Sequence, residues 1–166
     1  MAHVVGTPHE ASPVATTPCL VLVDLDHKGS EWAKLARLVP ALGYTLRGAC
    51  GPAYAGPGVE SVDVLRWTPA VSGVPQRRAH HRTHTSVCLF LLAVDMIRRW
   101  HVNAPTGGIV YFVTGGGLVA SMCEVIEASV FAELRDSLLH TWELRIVDTA
   151  EAIIADCMAP RDSNRH

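Results

Sequence analysis

The uninterrupted apolar run Cys19-Leu20-Val21-Leu22-Val23 ends on two acids spaced one residue apart, in Asp24-Leu25-Asp26-His27-Lys28-Gly29. A leucine and β-branched run of about six residues closed by a nearby glycine suits a strand buried on both faces better than a helix. The spacing predicts a helix over 30–39, where Trp32, Leu35, Ala36, Leu38 and Val39 recur at helical intervals, Ser30 can cap and Pro40 helps to stop. A short strand follows over 44–50, then a Gly/Pro-rich loop over 51–58 and a third strand over 59–67. Pro69, Gly73 and Pro75 break regular structure. Residues 85–101 read as a long helix that Thr85 and Ser86 can cap, apolar from Val87 to Ile97 and basic at Arg98-Arg99. A second buried strand over 109–114 stops at Gly115-Gly116-Gly117. One or two helices are expected over 118–139, a strand over 142–147, and a last helix over 150–158 capped by Asp148 and Thr149.

Strands and helices thus alternate as β-α-β-β-α-β-α-β-α with no internal repeat, which predicts a three-layer α/β/α domain with a mostly parallel central sheet of about five strands. A chain of 166 residues, 49% of them hydrophobic, supports one cored domain over 18–158. A flexible arm over 1–17, rich in Pro, Thr, His and Ala, and a frayed tail over 159–166 are expected to flank it. The arm lacks the apolar stretch of a secretory signal, and the 87–97 run is too short to span a bilayer and contains Asp95. The expectation is a soluble intracellular protein, cytoplasmic or nuclear, with no membrane contact.

A formal net charge of -2 supplies no bulk attraction to polyanions, so any such binding must be local. The local candidate is Arg77-Arg78-Ala79-His80-His81-Arg82-Thr83-His84, where arginine forks suit phosphate oxygens and histidine protonation would strengthen binding below about pH 6.5. The competing reading of that segment is a solvated loop. A zinc site there would need more ligands than Cys88 provides. The five cysteines, far apart and without a C-x-x-C pair, read as small buried hydrophobes in a reducing compartment. No G-x-S-x-G turn marks a serine hydrolase.

In open α/β sheets ligands gather at the carboxyl ends of the strands, which makes Asp24 and Asp26 the first candidates for chemistry. With the helix run Leu92-Ala93-Val94-Asp95 and the strand end Val110-Tyr111-Phe112-Val113-Thr114, the pattern resembles the PIN-like nucleases, particularly their NYN branch, over most of 19–154. The resemblance implies a catalytic set of Asp24, Asp26, Asp95 and Thr114, with Asp24 and Asp26 holding Mg2+ or Mn2+ for phosphodiester hydrolysis. It implies nucleic acid as partner, RNA ahead of DNA, bound by Lys28, Arg77, Arg78, His80, His81, Arg82 and His84. The chain departs from the family where Ser86 or Leu89 stands at the expected helix acid and Gly115 and Gly116 replace the later acids. Two consequences compete: a groove that has weakened or lost its chemistry and needs no metal, and an active ribonuclease with acids relocated to Asp63 or Asp148. The glycines Gly115, Gly116 and Gly117 offer backbone N–H groups to an anion, or simply fit a tight turn.

Asp24-Leu25-Asp26 also resembles the first motif of haloacid-dehalogenase-like phosphatases, which implies Asp24 as nucleophile, Asp26 as acid/base, Thr114 as the second-motif hydroxyl and Asp148 as the late acid. Lys28 in the motif's Thr or Val position, and the lack of any lysine between Thr114 and Asp148, depart from it. The non-catalytic alternative is a homodimeric interaction module whose interface core draws on an exposed Trp67 or Trp100.

Overall fold

The computed structural model describes residues 17–52, 54–56, 59–68, 78–103, 107–115 and 142–159, with backbone alone for 78–84 and 101–103. The helices expected over 118–139, the arm up to residue 16 and the tail from residue 160 lie outside the described residues. What is described is a five-stranded sheet in the order β3-β2-β1-β4-β5, every pairing parallel. The strands are β1 (Cys19–Asp24), β2 (Thr45–Cys50), β3 (Val64–Arg66), β4 (Gly108–Val113) and β5 (Trp142–Val147). Among the described residues three helices accompany them: α1 (Leu25–Ala41), α2 (Arg78–Asn103) and α3 (Ala150–Met158).

The two continuous apolar runs become the two inner strands, β1 and β4, in which every residue is buried. Period-two alternation divides their side chains between two cores. Leu20, Leu22, Val110 and Phe112 pack with Leu89, Phe90, Ala93 and Ile97 of α2. Cys19, Val21, Val23, Ile109, Tyr111 and Val113 face Trp32, Leu35 and Val39 of α1 and Ile153 of α3. Helices therefore cover both faces, giving the three layers expected of a parallel sheet. A polar cluster enters the α1/α3 side: the hydroxyl of buried Tyr111 donates to Asp156 Oδ2 at 2.5 Å, and Arg145 bonds the same carboxylate. That pair ties β4 and β5 to α3.

Three boundaries differ from the expectation. α1 starts directly at Leu25 with Asp24 as its N-cap, not at Ser30, and its backbone leaves helical geometry at Lys28 (φ -124°, ψ 29°). α2 starts at Arg78, seven residues before the expected Thr85 cap, so the basic segment from Arg78 onward is helical and not a loop. The third strand shrinks to Val64–Arg66 at the sheet edge. The cap of α3 is Thr149, whose hydroxyl accepts from Ala152 N at 3.2 Å. Among the described residues no helix is long and apolar enough to cross a membrane.

Leu22 is fully buried at the centre of the α2-side core. Leu22→Ala should cost about 2–5 kcal/mol in urea unfolding, whereas Val62→Ala, at a side chain 94% exposed, should stay within about 0.5 kcal/mol. Equal losses at the two positions would contradict the layered core.

Candidate functional site

The sheet order creates one privileged place. From β1 the chain moves outward through β2 to β3, then returns past β1 to add β4 and β5 on its other side. The connections on the two sides of β1 diverge at the carboxyl ends of β1 and β4, the position where open parallel sheets form ligand crevices. Asp24 ends β1, Thr114 and Gly115 follow β4, Gly51 follows β2, Trp67 follows β3 and Asp148 follows β5. Asp26, His27 and Lys28 reach the same edge from the first turn of α1.

Asp24 is completely buried, and its carboxylate is surrounded by donors. Oδ1 accepts from the backbone N–H groups of Asp26 at 3.1 Å and His27 at 3.3 Å, which makes it the cap of α1. Oδ2 lies 2.7 Å from His27 Nδ1 and accepts the Thr114 hydroxyl at 3.3 Å. When Asp24 is ionised, Nδ1–H donates to it, which fixes the tautomer and leaves Nε2 as the basic ring nitrogen. Burial pushes the Asp24 carboxyl above its ordinary value; the charge and hydrogen bonds of His27 oppose that rise and the Asp26 carboxylate reinforces it.

Asp26 joins four elements. Its Oδ2 accepts the Gly51 N–H at 2.9 Å and the Thr85 hydroxyl, which itself accepts the Trp67 indole N–H at 2.8 Å. Gly51 is required by close approach: a Cβ there would stand 2.9 Å from the Trp67 ring and 3.2 Å from Asp26 Oδ2. Trp67, expected at an exposed interface, is only 8% exposed because its indole seals this network. Trp100 stacks on Trp142, ring centroids 5.6 Å apart.

Lys28 crosses the β4 end. Its ammonium is 2.5 Å from Asp148 Oδ1, and a Cβ at Gly115 would lie 3.0 Å from Lys28 Cε. The lysine stem occupies the space that glycine leaves.

The edge thus gathers Asp24, Asp26, Lys28, Thr114, Gly115 and Asp148, and it adds His27, Thr85, Trp67 and Gly51. Asp95 is not among them: it lies ten residues beyond Thr85, about 15 Å along α2, exposed and 2.8 Å from Arg99. Ser86 is buried and Leu89 belongs to the core, so neither alternative supplies the helix acid. Asp63 pairs with Arg47 at 2.6 Å, one residue ahead of β3 and away from the carboxyl edge. Arg77, Gly116 and Gly117 lie outside the described residues, and for Arg78, His80, His81, Arg82 and His84 only the helical backbone is described. Burial pushes the Cys50 and Cys88 thiols up, in keeping with small hydrophobes rather than nucleophiles.

A hard divalent cation takes about six oxygen ligands. Among the described residues no group of three or more His, Cys, Asp or Glu side chains is arranged to hold a metal ion. The oxygens of Asp24 and one oxygen of Asp26 already accept N–H or O–H donors, so the donor set fits Mg2+ or Mn2+ poorly. No protein-family model matches the chain, and neither a curated protein nor a solved structure matches it.

For His27, the signal was an imidazole three residues after a helix-capping acid, where capping-box spacing brings a side chain back to the cap. For Thr85 and Trp67 no local signal exists, because Thr85's partner Asp26 is 59 residues away in sequence and Trp67's partner Thr85 is 18 residues away. Thr85→Val, which withdraws the hydroxyl between Trp67 and Asp26, should cost about 1–3 kcal/mol in urea unfolding and shift Trp67 fluorescence. A neutral Thr85→Val would remove the network from the account.

The raised Asp24 pKa fixes a sign. An acid whose folded pKa exceeds its unfolded value of 3.8 adds stability below 3.8 and loses it as pH rises through the folded value. Wild type should therefore lose stability relative to Asp24→Asn as pH rises from about 3.5 towards neutrality. A difference moving in favour of wild type over that range would mean that the pairing with His27 outweighs burial.

Proposed function

We propose that this chain is a PIN-like, NYN-like domain that binds nucleic acid, RNA ahead of DNA, along its carboxyl edge, with metal-dependent phosphodiester cleavage weakened or lost. The observation that carries the reading is the run of α2: it begins at Arg78 and reaches, at Thr85, the side chain that donates to Asp26. The basic turns from Arg78 to His84 therefore precede the acid-bearing edge directly, covering about 10 Å of helix. A helix whose first turns are rich in Arg and His in sequence suits a phosphate backbone, where charge gives affinity and its salt dependence.

The weakened chemistry follows from the carboxylates. A metal centre needs oxygens that are free to coordinate, and Asp24 spends both of its own on capping α1 and on His27 and Thr114. The same burial leaves Asp24 without an open face for the nucleophilic role of a phosphatase. The active-ribonuclease alternative draws on one further placement, Asp148 at the end of β5 beside Lys28. A homodimeric interaction module remains the non-catalytic alternative.

One assay separates these readings. Fluorescent single-stranded RNA should bind with an affinity that falls with salt, and should stay intact with Mn2+ over times in which an active nuclease would degrade it. Replacing Arg77, Arg78 and Arg82 by Ala together should lower the log–log salt slope by about 2, at ~0.7 per lost contact. Cleavage that needs Mn2+ and disappears in Asp24→Asn would establish the ribonuclease, and turnover of a generic phosphate monoester the phosphatase. A protein that ignores RNA yet sediments as a dimer would establish the interaction module.

A further inference from the structure

The carboxyl edge holds one of its described cations, Lys28, in an unusual way. Lys28 is one of only two lysines in the chain, and its backbone breaks helical geometry at that residue. Its stem lies over Gly115, with Nζ 3.5 Å from where a Cβ at 115 would be, so any larger residue there would push it off. The ammonium points to Asp148 Oδ1 at 2.5 Å, and that oxygen lies 3.9 Å from the same Cβ position. A carboxylate oxygen thus stands beside the ammonium at the mouth of the crevice, where an oxygen of a bound anion would stand.

The two partners are unequally held. The Lys28 side chain is 20% exposed and packed over the β4 end, whereas Asp148 is 72% exposed on the turn between β5 and α3. Ion pairs with one partner so exposed contribute little and open readily. The fixed member is the cation, and the member free to leave is the acid.

We infer that Lys28, laid across Gly115 at the β1/β4 crevice, is a phosphate-binding group that Asp148 blocks in the free protein, so that a phosphate ligand enters by displacing the Asp148 carboxylate. The inference deepens the nucleic-acid reading above and rests on it for its ligand, a phosphate of RNA; the Lys28–Asp148 contact itself is independent of that reading. Asp148 then competes with every anion for Lys28 and lowers its affinity modestly. A ligand also anchored on the basic turns of α2 offsets that competition.

The test is titration of the full chain with inorganic phosphate and, separately, with single-stranded RNA. It compares wild type, Asp148→Asn, Lys28→Gln, the double variant, and Glu143→Gln as a charge-matched control on an ion pair elsewhere on β5. Circular dichroism establishes that each variant is folded. Asp148→Asn should bind phosphate about two- to fivefold more tightly than wild type, the equivalent of one exposed ion pair. The gain should vanish when Lys28 is Gln, and Glu143→Gln should match wild type. Unchanged phosphate binding in Asp148→Asn would overturn the inference, as would an equal gain in the Lys28→Gln background or in Glu143→Gln. If the phosphate result holds while RNA binds to neither wild type nor Asp148→Asn, the nucleic-acid reading fails and the blocked phosphate site stands.

Discussion

A carboxylate that is cut off from water must find its hydrogen bonds inside the chain, and Asp24 finds them in the elements that meet at the end of β1. Two come from the first backbone N–H groups of α1, so the strand cannot end there unless the helix begins there. One comes from Thr114, which fixes the end of β4 beside it, and one contact is to His27, a single turn along α1. The position of Asp26 follows, and with it the Gly51–Thr85–Trp67 network that draws in β2, β3 and α2. The crevice is therefore organised from a buried charge outward.

This organisation divides the edge between two kinds of group. Both oxygens of buried Asp24 and one oxygen of half-buried Asp26 are engaged with the protein's own N–H and O–H groups, which is how acids behave when they hold a fold together. Lys28 lies beside Gly115 and pairs with exposed Asp148 at the end of β5. A metal nuclease needs the reverse arrangement, with carboxylates facing the substrate through a shared cation. The proposed loss of cleavage with retained binding follows from this inversion. Asp148, at the same edge, is 72% exposed, and its partner is the lysine.

The sheet was legible because its two inner strands carry a signal that needs no partner: six consecutive buried residues leave no polar face for a helix to turn outward. Asp24 at a strand end and Thr149 as a cap were readable for the same reason, being local. The start of α1 was misplaced because Lys28 leaves helical geometry and Gly29 follows it, which made Ser30 look like the cap. The start of α2 was misplaced because Arg, His and Thr are indifferent helix formers, while Thr85-Ser86 before an apolar run has the form of a cap. In the folded chain the Thr85 hydroxyl serves Asp26, a partner that no window of neighbouring residues contains. Asp95 fits a motif in sequence and fails in space, because α2 carries it down the sheet from the edge where the other acids lie.

The loss of metal binding proposed for this edge rests on three of the four carboxylate oxygens of Asp24 and Asp26 being engaged in internal hydrogen bonds. Its most direct measurement is carbon-13 NMR of the side-chain carboxyl groups, assigned with Asp24→Asn and followed while Mg2+ is added to the full chain at neutral pH. Neither residue should show a saturable shift, and the Asp24 signal should be insensitive to added metal. Concerted, saturable movement of both signals would contradict it and restore the edge as a metal centre.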